Sequence, residues 1–84
     1  MAGEELIGEV AHYFDHVRAA VLALTTQLQV GETIRIKGHT TDLIQQVESM
    51  QIDHADVQQA GPGEDAASLV SDRVREGDEV YRVQ

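Results

Sequence analysis

Leu28-Gln29-Val30-Gly31-Glu32-Thr33-Ile34 and Val74-Arg75-Glu76-Gly77-Asp78-Glu79-Val80 decide how this chain is read. Each runs apolar residue, two spacers, glycine, acid, one residue, β-branched residue. Glycine reaches φ > 0 at little cost, and a carboxylate beside it accepts bonds from nearby backbone amides. The alternation that follows starts a pleated, half-buried segment. The phrase is therefore a turn feeding a strand, written twice. Unlike loops and strands of different length separate the copies, so the phrase marks two strand starts within one domain and not a duplicated domain.

Working outward, Ile34 and Ile36 point one way while Thr33, Arg35 and Lys37 point the other, the cleanest alternation in the chain. Upstream, residues 6–12 and 17–24 read as a hairpin around a loop holding Tyr13 and Phe14. Downstream, residues 38–42 form a polar loop, and residues 43–54 read as one long strand. Within it Val47 and Met50 differ in parity while Met50 and Ile52 agree. An extra residue at Glu48 and Ser49, a β-bulge, would return all three to the core. Residues 56–60 are expected to make one helical turn capped by Asp56 and ended by Gly61-Pro62-Gly63. Residues 65–70 and 79–83 complete the set. Six short strands separated by turns predict an all-β fold, a small closed or nearly closed barrel. Its core is expected at Val10, Val21, Ile34, Ile36, Val47, Met50, Ile52, Leu69 and Val80.

Eighty-four residues fit one domain, 1–84, with residues 1–5 expected as a flexible tail. The chain has no cysteine, which excludes disulfides and thiolate metal sites and suits a reducing compartment. No apolar run approaches the roughly 20 residues that span a bilayer, and the N-terminus is acidic, so the expectation is a cytoplasmic protein without membrane contact. Six cations against fifteen acids give a formal charge of −9, which disfavours nonspecific polyanion binding. A local basic spot is still available from Arg35 and Lys37 on one strand face and from Arg73 and Arg75. The plainer reading of these four is solvated charge on a sheet surface.

The first phrase, the Lys37-Gly38 loop, the stretch Val47-Glu48-Ser49-Met50-Gln51-Ile52, the Ala60-Gly61 turn with Gly63-Glu64-Asp65, and the closing Gly77-Asp78 phrase together resemble a known family. From about Ile7 to Val83 the chain looks like the second domain of elongation factor Tu. It is also similar to small stand-alone translation elongation factor-like proteins and to the C-terminal barrel of collagenase-like peptidases. The resemblance implies a six-stranded translation-protein-type β-barrel. In the full-length factors that barrel packs on a GTPase domain and helps hold the aminoacylated end of tRNA. Here Lys37 lacks the glycine-rich run of a phosphate loop, so no intrinsic GTPase is expected. Ala66-Ala67-Ser68-Leu69 departs from the relatives, where a glycine and bulkier apolar residues are common.

Catalytic chemistry is poorly represented. Ser49, Ser68 and Ser71 lack an elbow-like Gly-x-Ser-x-Gly setting, and Glu32 and Asp78 are better explained as turn-holding acids than as general acids or bases. His12 and His16 bracket Tyr13, Phe14 and Asp15 at a spacing that suits zinc on a helix. In a hairpin, with no fourth ligand indicated, a surface role is the better reading. His39 and His54 have no evident partners. The expectation is a noncatalytic module without a cofactor. Its leading role is binding an unidentified protein, one that is basic or RNA-associated, through sheet edges, Tyr13 and Phe14, or the Gly38-His39-Thr40-Thr41 loop. The alternative is an RNA-binding module touching the aminoacylated end of tRNA through Arg35, Lys37, Arg73 and Arg75.

Overall fold

The computed structural model describes residues 3–84. The ten strands are β1 (Glu4–Phe14), β2 (Ala19–Leu24), β3 (Leu28–Gln29), β4 (Thr33–Lys37), β5 (Asp42–Gln46), β6 (Met50–Ile52), β7 (Ala55–Val57), β8 (Gln59–Ala60), β9 (Asp65–Leu69) and β10 (Glu79–Val83). Eight form one sheet in the order β5-β4-β10-β1-β2-β9-β6-β7, and β3 pairs with β8 in a separate ribbon. The fold is all-β, and among the described residues there is no helix, hence none long and apolar enough to cross a membrane. Residues 1–2 of the expected tail lie outside the described residues; β1 opens at Glu4, which pairs with Val83.

The six-stranded closed barrel is not what forms. The sheet ends in two free edges, β5 and β7, and carries more and shorter strands. Across the gap beside β5 a side chain takes the place of a ladder. The Gln45 carboxamide donates to the Leu69 carbonyl at 2.9 Å and accepts the Ser71 amide at 2.7 Å, bridging β5 to the far end of β9.

The repeated phrase builds the turns that organise this sheet, and the structure contains it three times. In residues 29–32 and 75–78, the amide of the acid donates to the carbonyl three residues back, at 3.2 Å for Glu32 and 3.1 Å for Asp78. Each carboxylate in turn accepts that residue's amide, Gln29 at 2.8 Å and Arg75 at 2.9 Å. Residues 61–64 repeat both bonds, Glu64 amide to Gly61 carbonyl at 3.2 Å and Gly61 amide to Glu64 Oε1 at 2.6 Å. The third residue is Gly31, Gly63 or Gly77, at φ 100°, 82° and 91°. These are type II turns, whose third position requires φ > 0 and whose second favours the proline found at Pro62.

Each turn also exchanges two backbone bonds with one buried residue. Gly31 and Glu32 pair with Val47, Gly63 and Glu64 with Leu24, and Gly77 and Asp78 with Val10, at 2.8 to 3.1 Å. The first residue of each phrase, Leu28, Ala60 or Val74, and its last, Ile34, Ala66 or Val80, are buried in the core. Ala66 ends the third copy where the other two place a β-branched residue, which hides it in the sequence.

The core holds Ile7, Val10, Leu22, Leu28, Ile34, Ile36, Val47, Met50, Val74 and Val80, with Ala20, Leu24, Ala60, Ala66 and Val70 around them. Burying each larger aliphatic side chain contributes roughly 1.5–3 kcal/mol. Val47 and Met50 both face inward, as the parity argument requires, but the device is a break and not a bulge. The chain leaves β5, crosses at residues 47–49 and starts β6 on the other side of the sheet, because Val47 is held by the turn at 31–32 and not by a strand. Residues 56–60 are not helical. Asp53 and His54 take φ of 50° and 66° in a two-residue turn that brings Ala55 opposite Ile52, and β7 and β8 follow. Two successive positive φ values match the twist of a tight hairpin. Val21 and Leu69 leave the expected core. In β2 the inward set is Ala20, Leu22 and Leu24, and in β9 it is Ala66 and Ser68, so both residues fall on the opposite face.

Candidate functional site

Cross-strand register assembles an apolar surface on the outer face of β1, β2 and β9. Phe14 pairs with Ala19, and Ala19 with Leu69, so these three stand abreast. One row along, His12, Val21, Ala67 and Gln51 are aligned across β1, β2, β9 and β6. Phe14 is 49% exposed, Leu69 57%, and Val17, in the turn between β1 and β2, 61%. Exposed large apolar side chains gathered in one place differ from the scattered ones every surface carries.

Sheet geometry hollows the middle of this surface. Strands β6 and β9 share one paired position, Gln51 with Ala67, and then part. The opening forms a groove of about 280 Å³ with small residues, Ala19, Ser49 and Ala67, between Val17 and Leu69. A small-residue floor between two exposed apolar walls suits one inserted apolar side chain.

Phe14 is held in place. Its ring meets His12 edge to face, centroids 4.4 Å apart at 73°, and His12 Nδ1 lies 2.9 Å from Glu76 Oε2. Aromatic pairs favour that arrangement because the positive edge of one ring meets the negative face of the other. Tyr13 belongs to the other face of β1 and packs half-buried against the core, so of the two aromatics only Phe14 is offered outward. Both belong to β1 and not to a loop. His12 and His16 are exposed, and among the described residues no three His, Cys, Asp or Glu side chains gather to hold a metal.

The Gly38-His39-Thr40-Thr41 loop is tied to the turn at 75–78. Gly38 donates to the Thr41 carbonyl at 2.8 Å, Arg75 Nε donates to Thr40 Oγ1 at 3.0 Å, and Thr41 is buried. Gly38 faces the Asp78 carboxylate so closely that a Cβ would collide with it. The loop leaves His39 exposed, ties Thr40 to Arg75 at the surface and buries Thr41.

The four candidate RNA-contacting cations are placed unequally. Arg35 makes a two-pronged bond to Asp42, both distances 2.8 Å, and a third to Glu4 at 2.8 Å. Asp42 and then Glu4 raise the Arg35 pKa above its already high value, and Arg35 in return lowers that of Asp42. A phosphate would have to displace two carboxylates from this guanidinium. Lys37 stands in register between Asp42 and Glu79, Arg75 is engaged by Thr40, and Arg73 is exposed.

No family model matches the chain. Over 76 residues, 89% of its length, it is 42% identical to an uncharacterized protease of Methanocaldococcus jannaschii, and it spans only 19% of that protein. The crystal structure of the C-terminal domain of a provisionally assigned U32 peptidase from Geobacillus thermoleovorans superposes with a TM-score of 0.87 at 15% identity, covering 93% of this chain and 91% of that one. The selenomethionine variant of the same domain gives 0.86 at 15% identity, covering 90% and 96%. These structures share the fold. They carry the peptidase part of the resemblance seen in the sequence; its elongation-factor part, and with it the tRNA-contacting role, gains nothing from them.

Proposed function

We propose that this chain is a noncatalytic protein-binding domain that works beside a peptidase body, in the same polypeptide or a separate one, and that the Phe14, Val17 and Leu69 face makes the contact. One observation carries the reading. The stretch that matches the M. jannaschii protease at 42% identity is 19% of that protein, and the same fold stands as a C-terminal domain in the Geobacillus structure. A segment of that size is an accessory unit, and the peptidase chemistry belongs to the remaining length.

The test is a chimera of the M. jannaschii protease carrying this chain in place of its matching 76 residues, compared with the protease lacking that segment. The chimera is expected to keep the peptide-hydrolysing activity or assembly that the deletion loses, and Leu69→Lys within it to reverse the gain. Burying a charge in an apolar contact weakens it by about 2 kcal/mol or more. Peptide hydrolysis by the isolated chain, or a chimera indistinguishable from the deletion, refutes the proposal.

A further inference from the structure

The same outer surface continues along β1 and β2 to a second feature. Leu6, Gly8, Glu9, Ala23, Thr25 and Glu79 line a slot of about 270 Å³. Its floor exists because residue 8 is glycine, since a Cβ there would run into the Ala23 carbonyl. Leu6, 51% exposed, supplies an apolar wall. At the rim Glu9 and Glu79 are directly opposite in register on β1 and β10.

Like charges facing each other across a ladder destabilise a sheet. Elsewhere this chain pairs its sheet-surface acids with arginines: Arg35 with Glu4 and Asp42, Arg82 with Glu5 and Glu32. At Glu9 and Glu79 it does not. Glu79 accepts the Tyr81 hydroxyl at 2.8 Å and has Lys37 in register on its β4 side, yet among the described residues no cation forms an ion pair with either carboxylate.

We propose that this slot receives a lysine side chain from the partner that covers the Phe14 face, an inference that rests on the docking role proposed above. The four methylenes of lysine lie along Leu6 and Ala23, and the ammonium, with three donors, is shared by Glu9 and Glu79. A second copy of this chain is the wrong occupant, because its only lysine is Lys37 and two molecules of charge −9 repel. A bulge between Val10 and His12 takes up one residue of β1, so Glu9 and Phe14 lie four rungs apart, opposite Ala23 and Ala19. That is roughly 13 Å, and an extended partner strand carries its apolar anchor and its lysine about four residues apart, both on one face.

The experiment titrates the ¹⁵N-labelled full chain with acetyl-Leu-Ser-Gly-Ser-Lys-amide, in this order and reversed, followed by amide chemical shifts. Saturable shifts are expected at Glu9, Ala23 and Glu79 together with Phe14 and Leu69. Replacing the peptide lysine by uncharged norleucine, or using the Glu9→Gln/Glu79→Gln protein, is expected to weaken binding on the order of tenfold. The same double variant is expected to raise the Tm of the free domain by about 1–4 °C, since the repulsion is gone. A stabilising substitution that weakens binding is the signature of a ligand site. If norleucine binds as well as lysine and the shifts stay at Phe14 and Leu69, the slot is refuted and the docking face stands. No saturable shift anywhere overturns both.

Discussion

Gly38 and Asp78 test whether the repeated turn is held by its carboxylate. A Cβ on Gly38 would overlap Asp78 Oδ1, and that oxygen cannot retreat freely because its carboxylate accepts the Arg75 amide at 2.9 Å in a buried setting. Gly38 is not among the residues with positive φ, so the collision and not the backbone sets the effect of alanine there. Gly38→Ala is expected to cost about 3 kcal/mol, the upper range for overpacking. Asp78→Ala removes a charge-assisted bond at a cost of about 2 kcal/mol. If the two were independent the double variant would lose about 5 kcal/mol. Because the new methyl occupies the space the carboxylate vacates, the double is expected to lose only about 2 kcal/mol, a coupling of about 3 kcal/mol. Urea denaturation of the four proteins measures it, and at this chain length Gly38→Ala alone lowers Tm by about 12–24 °C. Additivity within about 0.5 kcal/mol would refute the reasoning.

Other substitutions probe separate parts of the fold. His54→Gly is expected to stabilise by about 0.5–1 kcal/mol in urea, because His54 holds φ 66° in a turn whose second position glycine prefers. Arg35 lowers the Asp42 pKa, so that pair's stabilisation is complete above the usual carboxylate range and is lost as pH falls through the lowered value. Tm measured from pH 6 to 2 is therefore expected to separate wild type from Asp42→Asn at the neutral end and to converge at the acid end. Gln45→Ala is expected to cost about 1–2 kcal/mol and to speed hydrogen exchange at the Ser71 amide, which loses its acceptor. Ser68→Leu is expected to cost about 1–3 kcal/mol by overfilling a buried position, while Leu69→Ser, at an exposed one, stays within about 0.5 kcal/mol; the reverse ranking in urea would mean β9 is out of phase.

Strong alternation made much of the fold legible. Ile34 and Ile36 are buried with Thr33, Arg35 and Lys37 on the other face, and the hairpin of residues 6–24 and the strands near 65–69 and 79–83 fall where the pattern put them. Parity also placed Val47 and Met50 in the core without identifying the crossing that does it, because burial of a side chain does not distinguish a bulge from a chain changing partners. The turn at Asp53 and His54 was hidden for a different reason. Tight hairpins announce themselves by glycine or asparagine, and with neither present Asp56 reads as a helix cap instead.

The candidate site was half legible, and the missing half follows from one uncounted repeat. Phe14 stands out in the sequence as an aromatic of the hairpin loop, while leucine in a strand is ordinarily core, which points Leu69 inward. In the two conspicuous copies of the phrase, the residue two places after the acid, Ile34 or Val80, faces the core. Read as a third copy, Ala60-Gly61-Pro62-Gly63-Glu64-Asp65-Ala66 sets Ala66 inward by the same rule, and period-two alternation then sends Ser68 inward and Leu69 outward. Ala66 and Ser68 thus face a crowded interior, while Leu69, the one large apolar side chain of β9, faces solvent beside Phe14 and Val17. A strand that buries serine and exposes leucine inverts the usual sorting. The turn chemistry preceding it fixes that phase, which is why the same glycine and acid that organise the sheet also determine where a partner would find an apolar surface.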